Sequence, residues 1–220
     1  MVYVVCYTVP RYAKTDTDRR RGEKRHATKA WQARINQLKS YEKFEQLCYC
    51  NFGPGDKFIT LTYDDTHLRH TRREVMGDIK WFRRQLLLLR QPRGETVKYI
   101  YVVEHKHGDA RWHAHMILNG CGTGDLEEIQ SCWRHGNVKV EWFDYGRLDD
   151  LRHYLTKERP DHVGEHLWIT SRGMRRPETE SILHPDGFSL SVPYGAIVKE
   201  TDHRVNEYGE FEYIKYYMAQ

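Results

Sequence analysis

The chain has no apolar run long enough to cross a bilayer. Its longest purely aliphatic stretch is Leu86 to Leu89, far short of the ~20 residues a membrane helix needs. It has no basic leader either: Met1-Val2-Tyr3-Val4-Val5-Cys6-Tyr7 is followed soon by Arg11, which predicts neither a signal peptide nor an anchor and places the protein inside the cell. Cysteine is sparse: Cys6, Cys48, Cys50, Cys121 and Cys132 are odd in number and form no C-x-x-C pair. A disulfide framework is therefore not expected. A zinc site built from Cys48, Cys50, Cys121 and Cys132 would match no usual ligand spacing, so buried, inert thiols are the reading. Repeats, low-complexity tracts and Pro/Gly/Ser-rich linkers are also missing, and one domain over residues 1–220 is expected.

What is present suits a folded chain. Hydrophobic residues make up 39% and charged residues 30%, with fifteen Tyr and six Trp, so a disordered chain is excluded. The net charge of +4 is unevenly placed. Residues 11–39 hold ten Lys or Arg (Arg19, Arg20, Arg21, Lys24 and Arg25 among them) against Asp16, Asp18 and Glu23. The rest of the chain is net negative, and a local basic block points to a polyanionic partner.

Good helix formers without Pro from about Asp18 to Cys50 predict one long basic helix. Lys57 to Tyr63 reads as a strand ended by Asp64-Asp65. Thr71-Arg72-Arg73-Glu74 has capping-box spacing. Val75, Ile79, Phe82, Leu86 and Leu89 then form one apolar face, with Lys80, Arg83, Arg84 and Arg90 opposite, and Pro92 and Gly94 stop the helix. Val97–Glu104 and Trp112–Asn119 read as a hairpin. Asp125–Trp133 is a short helix ended by Gly136, and Asn137–Phe143 is a strand. Leu148, Leu151 and Leu155 mark a further short helix closed by Pro160. Strands are also read at His166–Ser171, Ala196–Glu200 and Phe211–Tyr216. The order β-α-β-β-α-β-α with a tight central hairpin predicts an α+β fold with an antiparallel sheet and helices packed on it.

In a strand, residues i and i+2 share a face, so His113 and His115 project their imidazoles side by side while Ala114 and Met116 pack the other way. The neighbouring strand of the hairpin ends in Glu104. Two imidazoles and a carboxylate leave positions open for water and a substrate oxygen, which suits Mn²⁺ or Mg²⁺ as Lewis acid. His105-Lys106-His107 has the same spacing but lies in the turn, and is read as solvated polar residues within reach of substrate. Tyr154 and Lys157 stand at i and i+3 on the same side of the later short helix. A nearby cation favours a phenolate that is otherwise scarce at the ordinary tyrosine pKa near 10.

In this order, Phe58-Ile59-Thr60-Leu61-Thr62-Tyr63, then Glu104 with Trp112-His113-Ala114-His115-Met116-Ile117-Leu118, then Tyr154-Leu155-Thr156-Lys157, the chain resembles the HUH endonucleases. Within them it looks like the single-tyrosine rolling-circle replication initiators of phages and small plasmids. Trp133–Val140 and Ser171–Pro177 look like phage-type members too. The resemblance implies a five-stranded antiparallel sheet with flanking helices, the metal on Glu104, His113 and His115, and Tyr154 as nucleophile. Lys157 would stabilise the developing charge or position the tyrosine. Arg19, Arg20, Arg21, Lys24, Arg25, Thr60, Thr62, Arg83 and Arg84 would contact DNA.

The implied activity is site-specific nicking and rejoining of single-stranded DNA, or of an origin hairpin, in the cytoplasm of a prokaryotic host. A basic helical region (1–50) would precede the motif-bearing core (51–180) and an extension of unknown role (181–220). Only one tyrosine stands in the third motif, since Glu158 follows Lys157. No helicase motif or P-loop is present, so a separate helicase and the host polymerase are implied as partners. A single-tyrosine HUH transposase, a non-catalytic DNA-binding replication regulator and a water-activating metal hydrolase are the rival readings. Conjugative relaxases usually place the tyrosine before the His pair, and the order here disfavours them.

Overall fold

The computed structural model describes residues 2–7, 30–105, 111–122, 124–146, 148, 167–184, 188–206 and 209–218. In chain order these form β1 (Val2–Tyr7), α1 (Ala30–Asn51), β2 (Lys57–Thr62), α2 (Arg72–Arg90), β3 (Tyr99–Glu104) and β4 (His113–Leu118). Then follow α3 (Asp125–Cys132), β5 (Val138–Trp142), β6 (Ile169–Thr170), β7 (Ala196–Asn206) and β8 (Gly209–Met218). They group into two compact units, one over residues 28–178 and one made of the chain's two ends, 1–27 with 179–220.

The larger unit holds a five-stranded antiparallel sheet in the order β5-β2-β4-β3-β6. This is the α+β architecture expected from the sequence. Both faces are covered, which is why β3 and β4 read as nearly continuous apolar runs rather than as alternating ones. On one face Ile59, Leu61, Tyr101, Val103, Ala114, Met116 and Leu118 pack against Val75, Ile79, Phe82 and Leu86 of α2 and Ile129 and Cys132 of α3. On the other, Phe58, Ile100, Val102 and Ile117 pack under Tyr41, Phe44 and Cys48 of α1 and Phe52 just beyond it. Cys48 and Cys132 thus lie in opposite cores, and burial pushes both thiols up. That fits inert thiols rather than a shared metal.

The helical face of α2 departs from the expectation at its last turn. Leu89 is 43% exposed, while Arg90, assigned to the polar side, is fully buried. The step from Leu86 to position 90 stays on the buried face, and the acidic start of α3 sits there. Arg90 bonds Asp125 at 3.0 Å, Glu128 at 3.4 Å and the Asn119 carbonyl at 2.8 Å. A guanidinium can enter the core here because carboxylates and a carbonyl occupy its donors.

The start of α2 is as the sequence predicts. Glu74 N donates to Thr71 Oγ1 at 3.3 Å and Thr71 N donates to Glu74 Oε2 at 3.0 Å, a complete capping box. Thr71→Ala removes the acceptor for the first orphan N–H and is expected to cost about 1 kcal/mol, read as a lowered urea midpoint at unchanged slope.

The basic helix expected from Asp18 is seen as α1 from Ala30; its earlier part lies outside the described residues, as does the helix expected around Leu151 and Leu155. Leu148, at its start, is fully buried beneath α1. The strand expected at His166–Ser171 is short, Ile169–Thr170, pairing with β3. In the smaller unit β7 and β8 outrun their expected bounds and form an antiparallel hairpin. The strand β1 pairs with β8 from Val2↔Tyr216 to Tyr7↔Phe211, giving the order β1-β8-β7. The extension left without a role thus forms a sheet with the N-terminus, a pairing across nearly the whole chain that no local pattern announces.

Candidate metal centre

Register alone brings the candidate ligands together. The strand β4 is central, with β2 and β3 as its neighbours. Thr62, His113 and Glu104 lie opposite one another across these three strands. The next row on the same face holds Thr60, His115 and Val102. Row by row this face runs from polar residues at one end to Phe58, Ile117 and Ile100 under α1. The polar groups therefore sit on rigid backbone against an apolar floor, which favours fixed ligand geometry.

His113 Nε2 lies 3.2 Å and His115 Nε2 3.3 Å from the same oxygen, Glu104 Oε2. The three candidate ligand atoms all lie within 4.8 Å of one another. Glu104 is fully buried and His115 is 9% exposed. Burial by itself would push the Glu104 carboxyl up, but hydrogen bonds and charge from His113 and His115 outweigh it and hold it at about 2. It is a carboxylate at any physiological pH.

The outer nitrogens are also engaged. His113 Nδ1 lies 3.1 Å from the Arg111 carbonyl, and His115 Nδ1 lies 3.2 Å from Thr60 Oγ1. A carbonyl can only accept, so His113 donates through Nδ1 and, as the neutral imidazole, turns the Nε2 lone pair toward Glu104. A lone pair facing a carboxylate oxygen at 3.2 Å calls for a proton or a cation between them. The residues present therefore fit a divalent ion, and the absence of a thiolate favours a harder one than structural zinc takes. Among the described residues the other such group is His203, Glu210 and Glu212 in the smaller unit. There His203 and Glu210 form an ordinary exposed ion pair at 2.7 Å.

The remaining candidates distribute unevenly. Thr60 joins the cluster. Thr62 lies opposite His113 but donates its hydroxyl to the Asn137 carbonyl at 3.0 Å. Arg83 and Arg84 are on α2, across the sheet from the histidines. The Arg83 guanidinium bonds the Tyr99 hydroxyl and lies 4.5 Å over its ring, while Arg84 is exposed. Tyr154, Lys157, Arg19, Arg20, Arg21, Lys24 and Arg25 lie outside the described residues, as do Lys106 and His107 of the turn pair. His105 stacks on Trp112, with ring centroids 4.3 Å apart. Tyr63 is no rival nucleophile: burial first, then Asp78, to which it donates at 3.0 Å, push its phenol far up.

Two supports were missed in the sequence. Phe58 stacks on His115, with centroids 5.9 Å apart and an interplanar angle of 20°. The Arg111 carbonyl anchors His113. The period-two pattern of β2 already placed Phe58 on the histidine face once the register was known; a carbonyl in a turn leaves no mark in side-chain chemistry.

No helix among the described residues is long and apolar enough to cross a membrane. No curated protein matches the sequence. Among solved structures, the crystal structure of the hypothetical protein ORF119 from Sulfolobus islandicus rod-shaped virus 1 aligns at 12% identity and a TM-score of 0.34. It covers 59% of this chain and 99% of that one. Residues 56–159, a span that runs from Thr60 through Glu104, His113 and His115 to Tyr154 and Lys157, match the ORF2-type family of replication-associated proteins, which supports a Rep-type replication protein.

Proposed function

We propose that this protein nicks and rejoins single-stranded DNA at a specific site to start rolling-circle replication, through a covalent 5′-phosphotyrosine on Tyr154. The observation that carries the reading is the convergence of Glu104, His113 and His115 on one point of the central strands, inside the segment that matches the replication-associated family. When bound there, Mn²⁺ or Mg²⁺ supplies Lewis-acid polarisation of a non-bridging phosphate oxygen.

The chain's own groups do the rest. Glu104, His113 and His115 present a fixed set of one carboxylate oxygen and two imidazole nitrogens. The phenol oxygen of Tyr154 attacks phosphorus as its proton leaves to solvent. The P–O3′ bond breaks, and the departing 3′ oxygen takes up a proton as a free hydroxyl that a polymerase can extend. Lys157 offsets the charge that develops on the phosphate. The ester energy stays in the phosphotyrosine, so a 3′-hydroxyl can reverse the step and rejoin a strand. Arg19, Arg20, Arg21, Lys24 and Arg25 hold backbone phosphates, with Thr62 near the centre and Arg84 on the far face. A separate helicase supplies unwinding.

The test is to incubate the full chain and Mn²⁺ with internally labelled single strands carrying the candidate origin. The expected product is a protein–DNA species that survives boiling in detergent, with label only on the fragment downstream of the nick. Cleavage without any adduct would instead support a metal hydrolase, and binding without cleavage a replication regulator.

A further inference from the structure

The two histidines share one task, yet their outer nitrogens are held differently: His113 by the Arg111 carbonyl and His115 by a side chain. We propose that Thr60 is a positioning residue of the metal centre. Its hydroxyl accepts the Nδ1–H of His115 and so turns the Nε2 lone pair toward Glu104 and His113. This rests on the metal reading of the site, and it gives Thr60 a role other than DNA contact.

Packing alone cannot do this. The stacked ring of Phe58 sets the plane of the His115 imidazole, but a half-turn about the Cβ–Cγ bond keeps that plane. It exchanges Nδ1 with a carbon and Nε2 with a carbon, so a C–H would face Glu104. The two orientations have nearly the same shape, and only a hydrogen bond at Nδ1 tells them apart. Thr60 is directly opposite His115 in the β2–β4 register, with Oγ1 at 3.2 Å from Nδ1. With His115 buried, bulk water is poorly placed to replace that hydroxyl. Such outer partners typically change metal affinity by 10–100-fold. Thr62, two residues on and on the same face, is the internal control, because its hydroxyl goes to the Asn137 carbonyl.

The experiment titrates the full chain with Mn²⁺ and reads the free ion by electron paramagnetic resonance. It uses wild type, Thr60→Val, Thr60→Ser and Thr62→Val, with thermal unfolding to confirm that each folds. Valine keeps the branched shape that suits a strand, so Thr60→Val is expected to fold and to bind Mn²⁺ about 10–100-fold more weakly. Thr60→Ser and Thr62→Val should stay within about threefold of wild type, below the range such partners contribute. Metal-free binding of a single-stranded oligonucleotide should be unchanged in Thr60→Val. Wild-type Mn²⁺ affinity in Thr60→Val would overturn the proposal, as would Thr60→Ser as weak as Thr60→Val. A loss of oligonucleotide binding in Thr60→Val at full Mn²⁺ affinity would return Thr60 to DNA contact. A wild type that binds no Mn²⁺ would sink the metal reading itself, and is distinguishable because the variants then have nothing to lose.

Discussion

Tyr154→Phe is expected to make no nick and no covalent adduct, even with excess Mn²⁺. The change removes one oxygen and keeps the ring, so thermal unfolding and Mn²⁺ affinity should match wild type while cleavage falls roughly 10⁴-fold or more, the scale of nucleophile removal in other covalent enzymes. Denaturing gels of internally labelled DNA read both products at once. A metal-activated water predicts the reverse: near-normal cleavage by the variant and no adduct from wild type. Lys157→Ala should fall between the two, since it assists charge stabilisation without forming the bond. Cleavage by Tyr154→Phe at the wild-type rate would rule out the covalent mechanism.

His113→Ala or His115→Ala should lower Mn²⁺ affinity by at least about 100-fold, since a first ligand matters at least as much as the groups that orient it. Cleavage at limiting Mn²⁺ should be lost with it. Removing the ion from wild type with a chelator should stop cleavage in the same way, and added Mn²⁺ should restore it. Single-stranded DNA affinity should stay within about twofold, because Lys and Arg on phosphates supply most of it and the metal acts in the transition state. Gel-shift and Mn²⁺ titrations on the same preparations separate the two effects. Parallel loss of binding and cleavage would refute this division of labour. His105→Ala is the matched control: its ring stacks on Trp112, away from the ligands, and Mn²⁺ affinity should hold. If it falls as in His113→Ala, the wrong histidine pair has been chosen.

Local chemistry determined a good deal of this molecule. The capping box at Thr71, the turn residues after Asn51 and Gln91, and the stretches of β-branched and aromatic residues at Lys57–Thr62 and Tyr99–Glu104 each specify their element through neighbours in sequence. The element order and the tight hairpin then leave few topologies besides an antiparallel sheet with helices on it. The histidine pair was legible for the same reason, because a strand's period of two puts His113 and His115 on one face before any partner strand is known.

Other features depended on contacts between distant segments. Glu104 and Thr60 meet the histidines only through the registers of β3 and β2 on β4, and a one-residue slip in either would send them to the opposite face. Arg90 was misplaced because helical spacing cannot tell a terminal leucine from a neighbouring arginine when carboxylates of α3 wait on the buried side. Arg83 and Arg84 read as one basic face with the N-terminal block, yet α2 lies across the sheet from the histidines, since a sheet covered on both faces sends successive helices to opposite sides. The pairing of β1 with β8 joins residues some two hundred apart. Its hydrogen bonds are made by backbone groups that every residue carries, so the choice of partner comes from the folded chain as a whole.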